Sequence, residues 1–325
     1  MIISWNIIQS AMELGLIYAL VAMALFLSYS MLNVCDLSTD GCYTLGCAVG
    51  SIVAIAGHPV AAIFAAMLAG VLSGFITAFL QTKLGVESLL AGIIVNTGLY
   101  TINIMIMGRA TISLNDTVTV FTMTKDLLGG TPLEDYYKLI VAAVFVIIVL
   151  ILLVLFLGTR LGLSIRATGN NLEMVKSSSI NPHFMIIIGL CISNSITALG
   201  GCLIGEYQKT ADINMGTGMV TIALASLIIG ETIFGKFGIG LRAFGVILGA
   251  CLYRVAVAIA LRFDLPASAL KLVSALIVAI ALAYPAIKNW IALNKKKSAA
   301  LHGGHLEALK NNVDANNSDK EGGKN

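Results

Sequence analysis

The sequence predicts an all-α polytopic membrane protein, and three observations support this fold class. Of the 325 residues, 58% are hydrophobic and 11% are charged, and the mean hydropathy is +0.93, a composition far from that of soluble proteins. Long runs contain no charged residue, and one of them, residues 41–82, is long enough for two crossings at roughly 20 residues each. These runs lack the polar–apolar alternation of barrel strands, so their backbone hydrogen bonds must close within helices.

Charged and turn-forming residues divide the chain into about nine predicted crossings. The crossings cover residues 14–32, 42–56, 60–81, 89–107, 138–158, 182–204, 215–230, 238–261 and 270–286. The distribution of basic residues places the carboxyl end inside and, with an odd number of crossings, the amino end outside. Residues 1–288 are predicted to form the transmembrane domain, and residues 289–325, rich in Asn, Gly and Lys, a disordered cytoplasmic tail.

The segment DLSTDG, which contains Asp36 and Asp40, stands between the first two crossings. Two carboxylates at this position have two explanations: a solvated loop, or a break in a helix whose polar groups face a water-filled path. A weakly similar segment, Asp212-Ile-Asn-Met-Gly216, precedes a later span that runs in the opposite direction. Because an inverted repeat leaves similar segments in opposite orientation, we predict such a repeat here.

Polar side chains also occur within the predicted spans. Asn96 and Asn103 are seven residues apart and share a helix face, and Asn194 lies in the middle of a later span. Amide groups in a membrane turn either toward a neighbouring helix or toward water, and both alternatives stay open here. With Asp36 and Asp40, residues Asn96 and Asn194 are our candidates for lining an aqueous path.

A polar connection, residues 160–182, separates two charge-free apolar runs. Arg160, Arg166 and Lys176 predict that this connection is cytoplasmic, because basic side chains near span ends are retained on the inner side. Charges at this density cannot lie in hydrocarbon.

Within this connection, a short helix is predicted over residues 171–178. The Asn171 side chain can accept from a free backbone N–H at the helix start, and Glu173 lies in the first turn, where the helix dipole favours an anion. Leu172 and Val175 are three apart and therefore share one face, which gives the helix an apolar edge. Such a helix either lies on the bilayer surface or docks in a groove of a partner.

The pattern R-A-x-G-x-N-x-E, followed by I-N, resembles the coupling-helix segment of ABC importer permeases of the branched-chain amino acid and ribose type. The matching residues are Gly169, Asn171, Glu173, Ile180 and Asn181. Val175 stands where the family usually has Ala, and Ser179 where it usually has Gly. DLSTDG, followed by Gly46 and Gly50, is similar to the DLTVDG signature of a subgroup that is often proposed to serve aromatic amino acid uptake.

The resemblance implies a permease subunit in a bacterial inner membrane, with several partners. Two permease copies would enclose the path, two cytoplasmic ATPase subunits would lie below, and an extracellular binding protein would deliver a small, amino acid-like solute, for which the permease itself needs no cofactor. The residues that the resemblance assigns to ATPase coupling are Gly169, Asn171, Leu172, Glu173, Val175 and Ser179. Because the binding protein supplies selectivity, the sequence does not name the substrate.

Other function classes fit less well. Neither HExxH nor a nucleophile–base arrangement occurs, so the chain is not predicted to be an enzyme, and no basic stripe with aromatics indicates nucleic acid. Gly230 to Lys236 resembles a P-loop, but Phe237 replaces the required Ser or Thr and an apolar helix precedes it. The six cysteines include no CxxC pair, and we interpret them as packing residues. A secondary transporter or channel that works without an ATPase is the alternative, although nearly charge-free spans disfavour ion coupling.

Overall fold

The computed structural model describes residues 5–130 and 134–261, with the single helical residues Leu276, Ala279, Ala283 and Trp290. The chain divides into two compact units, residues 1–278 and 279–325. The helices and strands given below all lie in the first unit. Apart from those four residues, the predicted ninth crossing and the predicted tail lie outside the described residues.

Besides a π-helical segment and a short 3-10 helix, Glu134–Tyr136, the described part of the chain contains eleven α-helices and two short strands. They are α1 (Trp5–Leu25, continued by a π-helical segment, Phe26–Met31), α2 (Thr39–Ile55), α3 (Pro59–Thr82), α4 (Ser88–Met107), β1 (Thr111–Ser113), α5 (Val120–Leu128), α6 (Tyr137–Gly158), α7 (Arg160–Asn170), α8 (Leu172–Ser177), α9 (Pro182–Gln208), β2 (Thr210–Asp212), α10 (Met219–Phe234) and α11 (Ile239–Leu261). Among the described residues, six helices are long and apolar enough to cross a membrane: α1, α3, α4, α6, α9 and α11. The predicted all-α polytopic class is confirmed.

Two helices that were predicted as full crossings, α2 and α10, are shorter than a crossing requires. They contain 17 and 16 residues, which correspond to about 25 Å of helix against a hydrocarbon core of about 30 Å. A non-helical segment precedes each of them, residues 32–38 before α2 and residues 213–218 before α10. Residues 213–218 form turns, so the predicted crossing over residues 215–230 begins within a non-helical segment.

Helix α2 packs closely against α9 and runs in the same direction. Gly46 lies against Ala198, and one turn later Gly50 lies against Cys202. A Cβ atom added at Gly46 would lie 2.0 Å from the carbonyl oxygen of Ala198, so only glycine permits this contact. Small residues four apart are a common way for membrane helices to approach each other.

Helix α10 leads to the opposite side of the membrane. Near its end, Glu231 accepts a hydrogen bond from Ser30, at the end of the π-helical segment that follows α1. The next residue, Met31, lies against Gly169 of α7, in the predicted cytoplasmic connection. Helices α2 and α10 therefore point to opposite faces, as the inverted repeat predicts.

The two segments that precede these helices also share a local geometry. Asp36 Oδ1 accepts from the backbone N–H of Ser38 at 2.8 Å, and Asp212 Oδ1 accepts from the backbone N–H of Asn214 at 2.8 Å. Each aspartate thus forms a turn with the residue two positions later. This shared turn supports the proposed relation between the two segments.

The long connection between α4 and α6 is packed and carries its own secondary structure. Strand β1 pairs antiparallel with β2, and α5 follows. Ile112, Leu114 and Phe121 are buried. The Glu206 carboxylate of α9 accepts from the backbone N–H of Val120 at 2.8 Å, and this contact fixes the start of α5.

Candidate functional site

Asp40, in the first turn of α2, caps the start of α10. Its Oδ2 accepts from the backbone N–H of Gly218 at 2.9 Å, and its Oδ1 accepts from that of Val220 at 2.8 Å. Gly218 is the N-cap residue of α10, adopts φ +86°, and has no side chain to supply a cap. A carboxylate is favourable here, because the free N–H groups and the helix dipole are both positive at a helix N-terminus. The short helix α2 therefore stabilises the start of the short helix α10.

Two further contacts hold this junction together. The backbone N–H of Gly216 donates to Thr44 Oγ1 at 3.1 Å. A Cβ atom at Gly216 would lie 2.0 Å from the carbonyl oxygen of Asp40, so a residue with a side chain cannot occupy this position without displacement of the backbone. The segment before α10 consequently fits directly onto the first turns of α2.

The junction lies inside the membrane-spanning part of the protein. Gly41 lies against Asn96 of α4, and its carbonyl oxygen accepts from Asn103 Nδ2 at 3.2 Å. Counted from the start of α4, Asn96 is about 12 Å along a helix of about 30 Å. Polar groups at this depth must bond another part of the protein or face water, since hydrocarbon provides no partner.

A cavity of about 400 Å³ opens beside the junction. Its lining residues are Asp40, Gly41, Thr44, Asn96, Thr97, Tyr100, Thr101, Asn103, Ile213, Asn214 and Thr217. Of these, Thr97, Tyr100, Thr101, Asn214 and Thr217 are exposed. None of the described residues that line the cavity is basic, and Asp40 supplies the carboxylate. The cavity therefore offers hydroxyl and amide groups, one carboxylate and one phenol ring.

The four candidate path residues fall into two groups. Asp40 and Asn96 line the cavity, whereas Asp36 and Asn194 are only 1% and 0% exposed. Asn194 Nδ2 donates to Asp36 Oδ2 at 3.0 Å and to Ser38 Oγ at 3.2 Å. Asp36 and Asn194 thus belong to an internal hydrogen-bond network that fixes the segment before α2 against α9.

Sequence reasoning missed several residues of this cavity. Thr44, Tyr100 and Thr217 carry no motif, and each looks like an ordinary polar residue of a span or turn. The similarity between the segments at Asp36 and Asp212 was the available signal, because it marks both half-length helices. It does not show that the starts of these helices meet.

The predicted short helix of the cytoplasmic connection is present as α8. Asn171 Oδ1 accepts from the backbone N–H groups of Glu173 and Met174, both at 3.1 Å, which confirms the predicted cap. Lys176 Nζ lies 2.8 Å from Glu173 Oε1 in an exposed ion pair, which contributes little stability. Helix α7, which precedes α8, was not predicted.

The predicted apolar edge of α8 is wrong in one residue. Val175 is 0% exposed and faces the rest of the protein, so it anchors α8 and offers no contact to a partner. The exposed apolar side chains are Leu172 and Met174, at 41% and 52%. The error arose because the spacing of Leu172 and Val175 predicts a shared face but does not show whether that face is already covered.

Ser179 adopts φ +60°, a left-handed conformation that glycine tolerates better than any other residue. We expect Ser179→Gly to leave the melting temperature unchanged or slightly higher, since it removes strain of about 1 kcal/mol. Ser179→Val should lower the melting temperature, because a β-branched side chain is strongly disfavoured at positive φ. The matched control is Ser178→Val, at φ −89°. Equal effects of the two valine substitutions in thermal unfolding would show that backbone strain is not the cause.

Comparison with known proteins identifies the family. The family described as branched-chain amino acid transport system / permease component matches residues 7–283. This chain belongs to that permease family. The tyrosine transport system permease protein of Clostridioides difficile is 35% identical over 295 residues, which cover 90% of this chain and 95% of that protein.

Two more proteins are similar to this permease. The D-allose transport system permease protein AlsC of Escherichia coli is 30% identical over 216 residues, which cover 62% of each chain. Among solved structures, PsaBC from Streptococcus pneumoniae in complex with Fab aligns with a TM-score of 0.47 and 15% identity, covering 85% of this chain and 89% of that one.

Membership in this family establishes the general function of the chain. It is a multi-pass permease subunit of an ABC importer for small solutes, and it resides in the inner membrane. A permease of this kind works with an ATPase and a substrate-binding protein. The resemblance based on Gly169, Asn171 and Glu173 therefore led to the correct family.

Proposed function

We propose that the cavity beside Asp40 is one half of the transport path, and that a second copy of this permease supplies the other half. The main observation in support of this proposal is the exposed polar face of α4. Its residues Thr97, Tyr100 and Thr101 line the cavity beside the junction of α2 and α10. In a single copy these side chains would face hydrocarbon, which is costly. A second copy would close the cavity and leave a water-filled passage between the two subunits.

The lining supports an amino acid as the transported solute. A zwitterion has an ammonium group, which the carboxylate of Asp40 attracts, and a carboxylate, which hydroxyl and amide donors can bind. Tyr100, whose side chain is 50% exposed, offers a ring face to an aromatic side chain. The name of the Clostridioides difficile relative, a tyrosine transport permease, favours an aromatic amino acid.

Energy enters through α8 from a separate ATPase subunit, which carries out the ATP hydrolysis. Helix α8 has a capped start and two exposed apolar side chains, Leu172 and Met174, which are available for contact with a partner. Gly169 contacts the backbone of residues 31 and 32, and Asn171 caps α8. Glu173 pairs with Lys176, and Ser179 forms the turn that follows α8.

Cysteine accessibility tests the path. Single cysteines are placed at Thr97, which lines the cavity, and at Ile102, which is exposed on α4 but outside the cavity. Cys35 and Cys191 are replaced by serine, while the other four native cysteines are buried. We expect a membrane-impermeant maleimide to modify position 97, to different extents with and without ATP and vanadate, and to spare position 102. Equal protection of position 97 in both states would remove this cavity from the path.

Uptake of labelled tyrosine tests the solute class. Cells that contain the permease with its binding protein and ATPase should accumulate tyrosine, and competition by phenylalanine should exceed competition by a branched-chain amino acid. If ribose or allose competes and the aromatic amino acids do not, the proposed solute class is wrong. The proposal that the cavity is part of the transport path is tested separately, by the cysteine labelling.

A further inference from the structure

Helix α7 contacts the chain at residues 31 and 32, where the π-helical segment that follows α1 ends. Gly169 of α7 lies against the backbone of Met31 and Leu32, and a Cβ atom at position 169 would lie 2.2 Å from the Met31 carbonyl oxygen and 2.8 Å from the Leu32 carbonyl carbon. No side chain separates the two backbones. Movement of α7 toward α1 must therefore displace residues 31 and 32, because packed backbone groups cannot interpenetrate.

Residues 31 and 32 directly precede the segment that contains Asp36 and Asp40. Leu32 is 3% exposed, and its side chain lies against Gly189 of α9. Asn33, the next residue, adopts φ +57°, a left-handed conformation in which the chain leaves the helix and turns back. Three residues later Asp36 bonds Asn194, and four residues after that Asp40 caps α10.

A second contact attaches α10 to the same place. Ser30 donates to Glu231 near the end of α10, and Arg242 of α11 pairs with Glu231 and donates to Ser30 at 3.0 Å. Both α2 and α10 are thus connected to residues 30–32. Helix α2 follows these residues in the chain, and α10 is attached to them by the cluster of Ser30, Glu231 and Arg242.

We propose that the contact between Gly169 and residues 31–32 transmits ATPase-driven movement of α7 and α8 to the junction of α2 and α10. Gly169 acts as a positioning residue: its missing side chain allows α7 to press on the end of α1, whose irregular continuation then shifts Asp40 relative to α10. This route rests on the proposed function, in which α8 docks the ATPase and the cavity at Asp40 is the path.

Three glycines of the same region make a matched test. Gly169→Ala adds a methyl group against α1, Gly162→Ala adds one against Leu157 of α6, and Gly158→Ala adds one in open space. Each variant is purified with its co-purifying ATPase, in the background that carries the cysteine at position 97. The measurements are ATPase retention, ATP hydrolysis, thermal unfolding, and maleimide modification of position 97 with and without ATP and vanadate.

For Gly169→Ala we expect the ATPase to stay bound and ATP hydrolysis to continue, while the nucleotide-dependent difference in modification at position 97 is lost. Gly158→Ala should behave like the parent, and Gly162→Ala should lower thermal stability but keep the nucleotide response. A full nucleotide response in Gly169→Ala would overturn the proposed route. If Gly169→Ala does not yield a folded complex, Ser30→Ala, which removes the hydrogen bond that attaches α10 to residues 30–32, must lose the response instead, and a normal response there overturns the route. Absence of any nucleotide response in the parent would refute the proposed function itself.

Discussion

Replacement of Asp40 by Ala is expected to abolish most transport and to destabilise the permease. The change leaves two backbone N–H groups at the start of α10 without their acceptor. Hydrogen bonds to a charged group contribute about 1.5–3 kcal/mol each in water-soluble proteins, and contacts within membranes average about 0.6 kcal/mol, so we expect a total loss of about 1–3 kcal/mol. Because the carboxylate also lines the cavity, transport per folded molecule should fall by roughly tenfold or more, as a loss of 1.4 kcal/mol would produce.

Two comparisons separate these effects. Asp40→Asn keeps one acceptor oxygen and nearly the same shape, so it should be more stable than Asp40→Ala and still transport slowly. Asp126→Ala, at an exposed position of α5, should change neither quantity. Thermal unfolding in detergent and uptake normalised to folded protein are the measurements. Normal uptake by Asp40→Ala with lowered stability would show that Asp40 is only a structural cap.

Simultaneous replacement of Leu172 and Met174 by Asp is expected to release the ATPase from a folded permease. Both side chains are exposed, so the substitutions should leave the permease itself intact. Full burial of such a side chain contributes about 1.5–3 kcal/mol. Because Leu172 and Met174 are only about half exposed, at 41% and 52%, the loss of both corresponds to roughly tenfold weaker binding or more, by about 1.4 kcal/mol per factor of ten. Co-purification of the ATPase with tagged permease is the measurement.

Val175→Asp is the comparison variant for the double replacement of Leu172 and Met174. Because Val175 is completely buried, a charge there should lower the melting temperature of the permease, and any loss of ATPase would follow from misfolding. The exposed pair should instead lose the ATPase at an unchanged melting temperature. Retention of the ATPase by the Leu172 and Met174 double variant would place the docking surface elsewhere.

Much of the coupling segment was predictable because its chemistry is local. Asn171 caps a helix that begins one residue later, and Glu173 lies in its first turn, so short-range rules were sufficient. Ser179, which stands where the family usually has Gly, adopts a left-handed conformation in the structure, and this was not predicted from the sequence. Val175 could not be assigned this way, since whether a face is covered depends on elements distant in the sequence.

The candidate path was only partly predictable, for a related reason. The cost of polar groups in hydrocarbon marked Asp36, Asp40, Asn96 and Asn194 as unusual. That cost is relieved equally well by a protein partner or by water, and composition does not distinguish the two. In the structure, Asn194 Nδ2 donates to the carboxylate of Asp36, whereas Asp40 and Asn96 border a cavity.

The sequence by itself determined the membrane class and the family, and it marked the polar connection 160–182 and the two unusual carboxylates near Asp36, because each depends on composition or on neighbours within a few residues. Only the tertiary structure decided that Asp40 caps a helix 178 residues away, and that Gly169 reaches the end of α1. These contacts arise when α2 and α10 start at the same depth and α7 packs against the π-helical segment that follows α1. Such pairings depend on how whole helices pack in three dimensions, which local patterns of charge and hydrophobicity do not specify.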